Sequence, residues 1–171
     1  RDKRIAVVKS DIEFVICNFD GLEIIKDTVM ESAFDLIVVD EANAYKTVST
    51  RRWKVLNSLI RAKTWVWMLT GTPASQAPTD AFGLAKIINP DGVPRFFGSF
   101  KDLTMQKITE FKWVPRPRAE NVVHKALQPA IRFTKEECLD LPEMTYTTRE
   151  VPLTPQQKKY YETIRKHMVV T

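Results

Sequence analysis

Short apolar runs alternate with amphipathic stretches along the first half of the chain. Four of these runs are predicted as strands, at residues 5–8, 13–17, 36–39 and 65–69. Three amphipathic stretches are predicted as helices, at residues 22–31, 49–62 and 79–88. An unbroken apolar run such as Leu36–Val39 is typical of a parallel strand buried on both faces. The alternation therefore predicts an α/β fold with a parallel sheet, right-handed crossovers and flanking helices.

The pattern becomes irregular after Asp91, where glycines and prolines interrupt the chain. This part is predicted to contain helices at residues 101–111 and 118–127 and strands at residues 131–133 and 145–153. Thr154 then supplies an N-cap, Pro155 a first helical residue and Gln157 the partner of a capping box. A further helix is predicted to begin there.

Two adjacent carboxylates, Asp40 and Glu41, follow the predicted strand at residues 36–39. In open α/β sheets, ligands bind beyond the carboxyl ends of the strands. Hydrolysis of a phosphoanhydride needs one carboxylate to hold Mg²⁺ and another to orient or deprotonate water. Adjacent residues leaving a strand point in different directions, so the pair can divide these tasks. A solvated acidic turn is the alternative interpretation.

A second polar segment, Thr70-Gly71-Thr72-Pro73, ends the next predicted strand. Its two hydroxyls flank a glycine that permits close approach of the backbone, and the proline fixes the exit of the chain. Taken alone, the segment is equally compatible with an ordinary Gly-Pro turn. Its spacing from Asp40 and Glu41, with one helix between, is more specific than either segment.

The two segments, Asp40-Glu41-Ala42-Asn43 and Leu69-Thr70-Gly71-Thr72-Pro73, resemble motifs II and III of superfamily-2 helicases, and most closely those of the Swi/Snf-like branch. Residues 15–22, 80–90, 131–142 and 151–162 resemble further segments of that branch in the same order. The resemblance implies a partial RecA-like (P-loop NTPase) sheet with flanking helices, followed by an irregular helical extension. It divides the chain into the C-terminal half of helicase lobe 1 (1–92), a helical extension with the inter-lobe bridge (93–144) and the start of lobe 2 (145–171).

The resemblance also implies roles for single residues. Asp40 would coordinate Mg²⁺ through water, and Glu41 would activate the water that attacks ATP. The residues implied to couple nucleotide state to DNA contacts are Asn43, Thr70, Gly71 and Thr72. Arg132 and Lys135 would belong to the inter-lobe bridge, where Phe133 replaces a second arginine.

The sequence departs from the branch in two respects. Asn43 stands where the branch often has histidine, which leaves its link to motif III less certain. The sequence also contains no Gly-Lys-Ser/Thr, the signature of a phosphate-binding loop. We therefore expect that loop in an upstream part of the parent chain and the second lobe downstream. The isolated fragment is expected to be inactive.

The net charge of +5 suits a nucleic-acid partner, and the positive charge is clustered. Residues 46–63 contain six lysines and arginines and no acidic residue, and residues 112–135 contain six against Glu120 alone. The candidate DNA-binding residues are Asn18, Arg51, Lys54, Arg61, Arg116 and Arg118. Double-stranded DNA is the favoured partner, although solvated helix faces would show the same charges. Trp53, Trp65 and Trp67 are predicted to lie in the core rather than to stack on bases.

Several classes of protein do not fit the sequence. No apolar run reaches the roughly 18 residues of a transmembrane helix, and a signal peptide is not expected. The two cysteines and two histidines are isolated, which favours a reduced intracellular protein without structural zinc, in cytoplasm or nucleus and of cellular or viral origin. Two alternatives remain open: the motor of a restriction or nuclease-coupled translocase, and a non-catalytic DNA-binding module with a helicase-like fold. The intact Asp-Glu and Thr-Gly-Thr-Pro segments argue against the second.

Overall fold

The structure is a computed structural model, and it describes residues 2–10, 13–32, 34–138, 140 and 145–167. The chain forms two compact units, Arg1–Ile131 and Arg132–Thr171. Among the described residues, no helix combines the length and the apolar character that crossing a membrane requires.

A small parallel sheet forms the centre of the first unit. Strand β1 (Leu36–Val39) pairs with β2 (Trp65–Met68), with Leu36 opposite Trp65 and Val39 opposite Met68. The connection between them contains a 3₁₀ turn (Ala42–Tyr45) and helix α3 (Arg51–Leu59). These elements confirm the two strands and the crossover helix predicted from the apolar pattern, and the unit has a mixed α/β architecture.

Three helices build the core on one face of this sheet. They are α2 (Phe19–Ser32), α3 and α4 (Ala81–Ile88). Buried side chains from the sheet, the 3₁₀ turn and the helices form one cluster: Val39, Ala42, Tyr45, Leu56, Leu84 and Ile87. Asn89 and Pro90 end α4 as predicted. The carboxyl ends of both strands are thereby fixed above a packed helical layer.

The opposite face of the sheet is exposed, which contradicts the expectation that the strands are buried on both faces. Leu36, Val38, Trp65 and Trp67, hereafter the outer face, have exposed fractions between 39% and 72%. The core prediction is therefore wrong for Trp65 and Trp67. Within the described ranges the helices cover only the sheet face that carries Val39 and Met68. The strand register brings the four apolar side chains together on the outer face. Trp53 is half-buried against the core, in agreement with its prediction.

Other differences arise where short apolar runs were interpreted as strands. Residues 5–8 lie in helix α1 (Asp2–Lys9), which packs against α2. Residues 13–17, 131–133 and 145–153 form no strand. A run of four or five apolar residues does not distinguish a strand from one face of a helix, and here the helix packs against the core.

The rest of the first unit is a helical and hairpin region. Helix α5 (Phe97–Thr104) leads into a short antiparallel pair, β3 (Met105–Lys107) and β4 (Trp113–Pro115). The helix predicted at 101–111 therefore ends early, and its second half is a hairpin. Helix α6 (Ala119–Ala126) matches the prediction at 118–127, and it packs with α4 and α5 around Phe82 and Phe100.

The second unit contains helices α7 (Lys135–Cys138) and α8 (Pro155–His167) among the residues that the structure describes. The capping box that begins α8 is present. Thr154 N donates to Gln157 Oε1 at 3.0 Å, and Gln157 N donates to Thr154 Oγ1 at 3.3 Å. The predicted start of this helix is confirmed.

Candidate ATP-hydrolysis site and coupling loop

Asp40 and Glu41 lie at the carboxyl edge of the parallel sheet, directly after β1. Both residues are exposed, and Glu41 N donates to Asp40 Oδ1 at 2.9 Å. Only one oxygen of the Asp40 carboxylate is engaged by this bond. The pair therefore presents carboxylate oxygens at the edge where parallel sheets bind ligands.

Glu41 has an unusual backbone conformation for a residue with a side chain, with φ 48° and ψ 51°. A non-glycine residue in the left-handed region costs on the order of 1–3 kcal/mol and persists only where its surroundings hold it. The following 3₁₀ turn supplies that support, because Ala44 N donates to Glu41 O at 3.0 Å. Ala42 and Tyr45 are fully buried in the core, and burial raises the pKa of the Tyr45 phenol. Residues 40–46 are hereafter the motif II turn.

The motif II turn is bonded to the end of β2. Leu69 N donates to Val39 O at 2.8 Å, and Ala42 N donates to Leu69 O at 2.9 Å. Beyond these main-chain bonds, Thr70 Oγ1 donates to Asn43 Oδ1. Two of the predicted coupling residues are thus in direct contact, and asparagine makes the link that its substitution for histidine had put in doubt.

The other two predicted coupling residues lie in residues 70–75, which are hereafter called the coupling loop after this predicted role. Thr72 N donates to Thr70 Oγ1 at 3.2 Å, while Gly71 is exposed between them. The structure therefore brings all six predicted catalytic and coupling residues to one edge of the sheet.

The oxygen chemistry of this edge fits Mg²⁺ held through water. Magnesium keeps several of its waters in proteins and takes one or two carboxylates together with substrate phosphates. Asp40 offers a free oxygen in an exposed position. No group of three or more His, Cys, Asp or Glu side chains capable of enclosing a metal occurs in the described parts of the chain.

Comparison with known proteins agrees with this arrangement. The sequence matches the SNF2-related domain over residues 1–171. The chain belongs to this family, the Swi/Snf-like branch of the superfamily-2 helicases and ATPases. No solved structure matches the chain significantly.

Two relatives carry the name SWI/SNF-related matrix-associated actin-dependent regulator of chromatin subfamily A-like protein 1. The proteins from Xenopus tropicalis and Xenopus laevis are each 31% identical to this chain over 70 residues, which is 41% of its length. The matched segment covers 7% of the length of each relative.

Gly71, in the loop at residues 70–75, has open space around it. A Cβ added at Gly71 would meet no atom of the described residues within 4 Å, and the residue does not adopt a positive φ. The fold of the chain itself therefore does not require glycine here. The close approach that a glycine permits here would be that of an outside partner.

We predict that Gly71→Ala does not destabilise the protein. The substitution restricts the unfolded chain and meets no obstacle in the folded one, so the free energy of unfolding should be unchanged or raised by up to about 1 kcal/mol. Thermal unfolding of the full-length protein would measure this. A lower melting temperature would mean that the loop packs more closely than the structure shows.

Three residues that the sequence reasoning missed lie behind the coupling loop. Lys46 Nζ, at the end of the motif II turn, lies 3.1 Å from Gln76 Oε1 and 3.5 Å from Asp80 Oδ2. Asp80 directly precedes α4, and its carboxylate also accepts from Gln76 N at 3.0 Å. A usable signal was present, because Lys46 and Asp80 are opposite charges on segments that leave the same sheet edge.

Several candidate DNA-binding residues near α2 and α3 already have partners within the chain. Arg51 forms an ion pair with Glu23 of α2. The Arg61 guanidinium donates to a main-chain carbonyl of α2. Asn18 Oδ1 accepts a main-chain N–H of the first turn of α2 and so acts as its cap. Lys54 is exposed. A paired guanidinium keeps further N–H donors, so the assignment to DNA contacts stays a prediction.

Arg116 and Arg118 lie on the far side of the coupling loop, next to α6. Arg116 Nε donates to the carbonyls of Asp102 at 2.7 Å and Met105 at 2.9 Å, which fixes the hairpin. Arg118 is exposed and precedes α6 with a positive φ of 68°. Both arginines border a groove of about 660 Å³ between α6 and residues 73–78.

The predicted bridge residues belong to the second unit. Arg132 is exposed, and Lys135 is the first residue of α7. Thr134 N donates to Glu137 Oε2 at 2.8 Å, and this bond lowers the pKa of the Glu137 carboxyl. The bridge role of Arg132 and Lys135 stays a prediction.

Proposed function

We propose that this chain supplies the catalytic carboxylates and the coupling loop of an ATP-dependent translocase on double-stranded DNA. The observation that carries the proposal is the direct contact between Asn43 and Thr70 beside Asp40 and Glu41, in a chain of the SNF2-related family. A change at the carboxylates can reach the coupling loop through this contact. The loop in turn is exposed at Gly71 and Thr72, where a partner can be engaged.

In this proposal the two carboxylates have different tasks. Bound Mg²⁺ would neutralise charge on the phosphate oxygens during hydrolysis of ATP. Asp40 would hold the ion through its water ligands with the oxygen that Glu41 N leaves free. Glu41 would orient the attacking water and accept its proton. Its left-handed backbone conformation departs from the extended conformation of the strand that precedes it.

Another part of a parent chain would complete the site. The sequence has no Gly-Lys-Ser/Thr, and the outer face exposes two tryptophans. Apolar patches of this kind mark surfaces that another element covers. We propose that the rest of a RecA-like lobe contributes the phosphate-binding loop and packs on this face, with residues 93–144 and 145–171 leading into a second lobe. The isolated chain would then be inactive.

The proposed DNA partner rests on charge and on the relatives. The basic residues of 46–63 and 112–135 can neutralise phosphates, which would make binding dependent on salt. The Xenopus relatives are named as regulators of chromatin, and a role on chromosomal DNA inside the cell is the corresponding proposal for this chain.

The experiment measures ATP hydrolysis and triplex-strand displacement by the full-length protein, with the isolated chain as the negative control. We expect duplex DNA to stimulate hydrolysis, and a third strand to be displaced while the duplex beneath it stays paired. Stimulation by RNA or single-stranded DNA in its place would contradict the duplex assignment. Absence of stimulation by any nucleic acid would favour a non-catalytic module.

A further inference from the structure

The coupling loop is attached to the motif II turn through its first residue and through the residue that follows it. At the near end, Thr70 Oγ1 donates to Asn43 Oδ1, and Ala42 N donates to Leu69 O. At the far end, Gln76 Oε1 accepts from Lys46 Nζ at 3.1 Å. Asn43 and Lys46 are three residues apart in one short turn. A displacement of that turn would therefore move both ends of the loop together.

The far attachment is a small network around one carboxylate. Asp80 Oδ2 lies 3.5 Å from Lys46 Nζ and accepts from Gln76 N at 3.0 Å and from Ala77 N at 3.4 Å. The two charged side chains are partly shielded, with exposed fractions of 31% for Lys46 and 16% for Asp80. One carboxylate thus binds the main chain of the loop exit and the ammonium group of the motif II turn.

Helix α4 holds this network in a fixed position. Gly83 lies so close to the motif II turn that a Cβ would overlap the carbonyl oxygens of Tyr45 and Lys46. On its other side, Trp53 Nε1 donates to Gly83 O at 2.8 Å, which ties α3 to the same point. Because Asp80 directly precedes α4 and Lys46 ends the motif II turn, this packing fixes the main-chain positions from which the two charged side chains extend.

We propose that Lys46 is a positioning residue, which through Asp80 and Gln76 fixes the exit of the coupling loop to the motif II turn. This inference rests on the proposed function, since it concerns how the same site transmits its state. With the exit fixed, a displacement of the turn moves the whole loop. Without Lys46, only Thr70 would follow the turn, and Gly71 and Thr72 would be free to lag behind.

The role is one of coupling rather than of stability. Ion pairs that remain accessible to water contribute little to folding, so loss of this pair should leave the protein folded. What changes is how closely the coupling loop follows a displacement of the turn that carries the two carboxylates. We therefore expect an effect on the turnover number in the presence of DNA and little effect on the affinity for ATP.

A double-mutant cycle in the full-length protein tests the proposal. Lys46→Met keeps the length of the side chain and removes its charge. Asp80→Asn removes the charge and keeps an oxygen for the N–H groups of Gln76 and Ala77. Lys46→Arg retains the charge and serves as the conservative variant. Lys9→Met, in the surface pair that Lys9 forms with Glu31 at 3.9 Å, controls for loss of an ion pair elsewhere.

We expect Lys46→Met and Asp80→Asn each to lower DNA-stimulated kcat about tenfold, a value within the range of coupling between contacting residues. The dissociation constant of each variant for ATP should stay within about twofold of the wild-type value. The double variant should be no worse than either single variant, and Lys46→Arg should retain most of the activity. Lys9→Met should match the wild type.

Two results would overturn the inference: a wild-type kcat in Lys46→Met, or losses that multiply in the double variant. Thermal unfolding and the number of ATP-binding sites, measured on each variant, separate loss of coupling from loss of folded protein. If the wild-type protein itself shows no stimulation by DNA, the proposed function fails instead. If DNA stimulates the wild-type protein and the variants are unaffected, the proposed function stands and the role of Lys46 is rejected.

Discussion

Substitution of Gly83 by alanine is expected to lower the free energy of unfolding of the first unit by about 2 kcal/mol. The new Cβ would overlap the carbonyl oxygens of Tyr45 and Lys46, which belong to the main chain and cannot rotate away. Overpacking of this kind costs about 1–3 kcal/mol, and a clash with main chain should reach the upper end of that range. Alanine recovers about 1 kcal/mol through its higher helix propensity, so the clash prevails.

The effect should be largest in the two helices that meet at Gly83. Hydrogen exchange of the α3 and α4 amides in the full-length protein measures it, and a loss of about 2 kcal/mol corresponds to roughly 30-fold faster exchange. ATP hydrolysis should fall as well, because the displaced carbonyls follow Asp40 and Glu41 by only a few residues.

Gly98→Ala is the matched control, since Gly98 also lies in a helix but a Cβ there would meet no atom of the described residues within 4 Å. It should be neutral or stabilising. Equal stability of the Gly83→Ala and Gly98→Ala variants would show that α4 does not press on the motif II turn.

The sequence predicted those elements of the fold whose local pattern and tertiary environment agree. Leu36–Val39 and Trp65–Met68 are strands because their apolar runs are short and bounded by polar residues, and Arg51–Leu59 is a helix because its apolar positions share one face. Residues 5–8 have an equally apolar run and form a helix. These residues form a helix because that helix packs against α2, and the short stretch of sequence around residues 5–8 does not contain α2.

Burial was harder to predict than secondary structure. The apolar character of Trp65 and Trp67 indicates that something covers them, but not whether the cover comes from the described residues. The sequence cannot separate a core residue of this chain from a residue that packs against another part of a parent protein. Both give the same apolar pattern.

The predictable half of the candidate site is the half that depends on strand ends. Asp40 and Thr70 follow neighbouring parallel strands, so the sequence alone brings them to one edge. Lys46, Gln76 and Asp80 depend on the path of the chain after that edge and on how closely α4 approaches the turn. Gly83 was visible as a glycine within a predicted helix, but its contact with Lys46 required three-dimensional packing.

Replacement of Glu41 by glutamine is expected to abolish turnover of ATP while leaving its binding intact. General-base catalysis typically contributes about 10²–10⁴-fold to a rate, so kcat of the full-length protein should fall by that factor. Glutamine has nearly the shape of glutamate and would occupy the same left-handed backbone position. The substitution therefore removes a proton acceptor without changing the strain that the motif II turn already supports. Single-turnover hydrolysis and equilibrium binding of ATP separate the two effects.

Asp35→Asn makes the same change of charge at the opposite end of the same strand. Asp35 is exposed, and its carbonyl accepts from Trp65 N at 2.7 Å, so its main chain is part of the sheet while its carboxylate lies at the amino edge. If hydrolysis required negative charge at either end of β1, both variants would lose activity. If hydrolysis requires a carboxylate at the carboxyl edge, only the Glu41→Gln variant will lose activity. Retention of more than a tenth of kcat in Glu41→Gln would mean that another residue activates the water. That residue would lie outside the coupling loop, because residues 70–75 offer hydroxyls but no carboxylate.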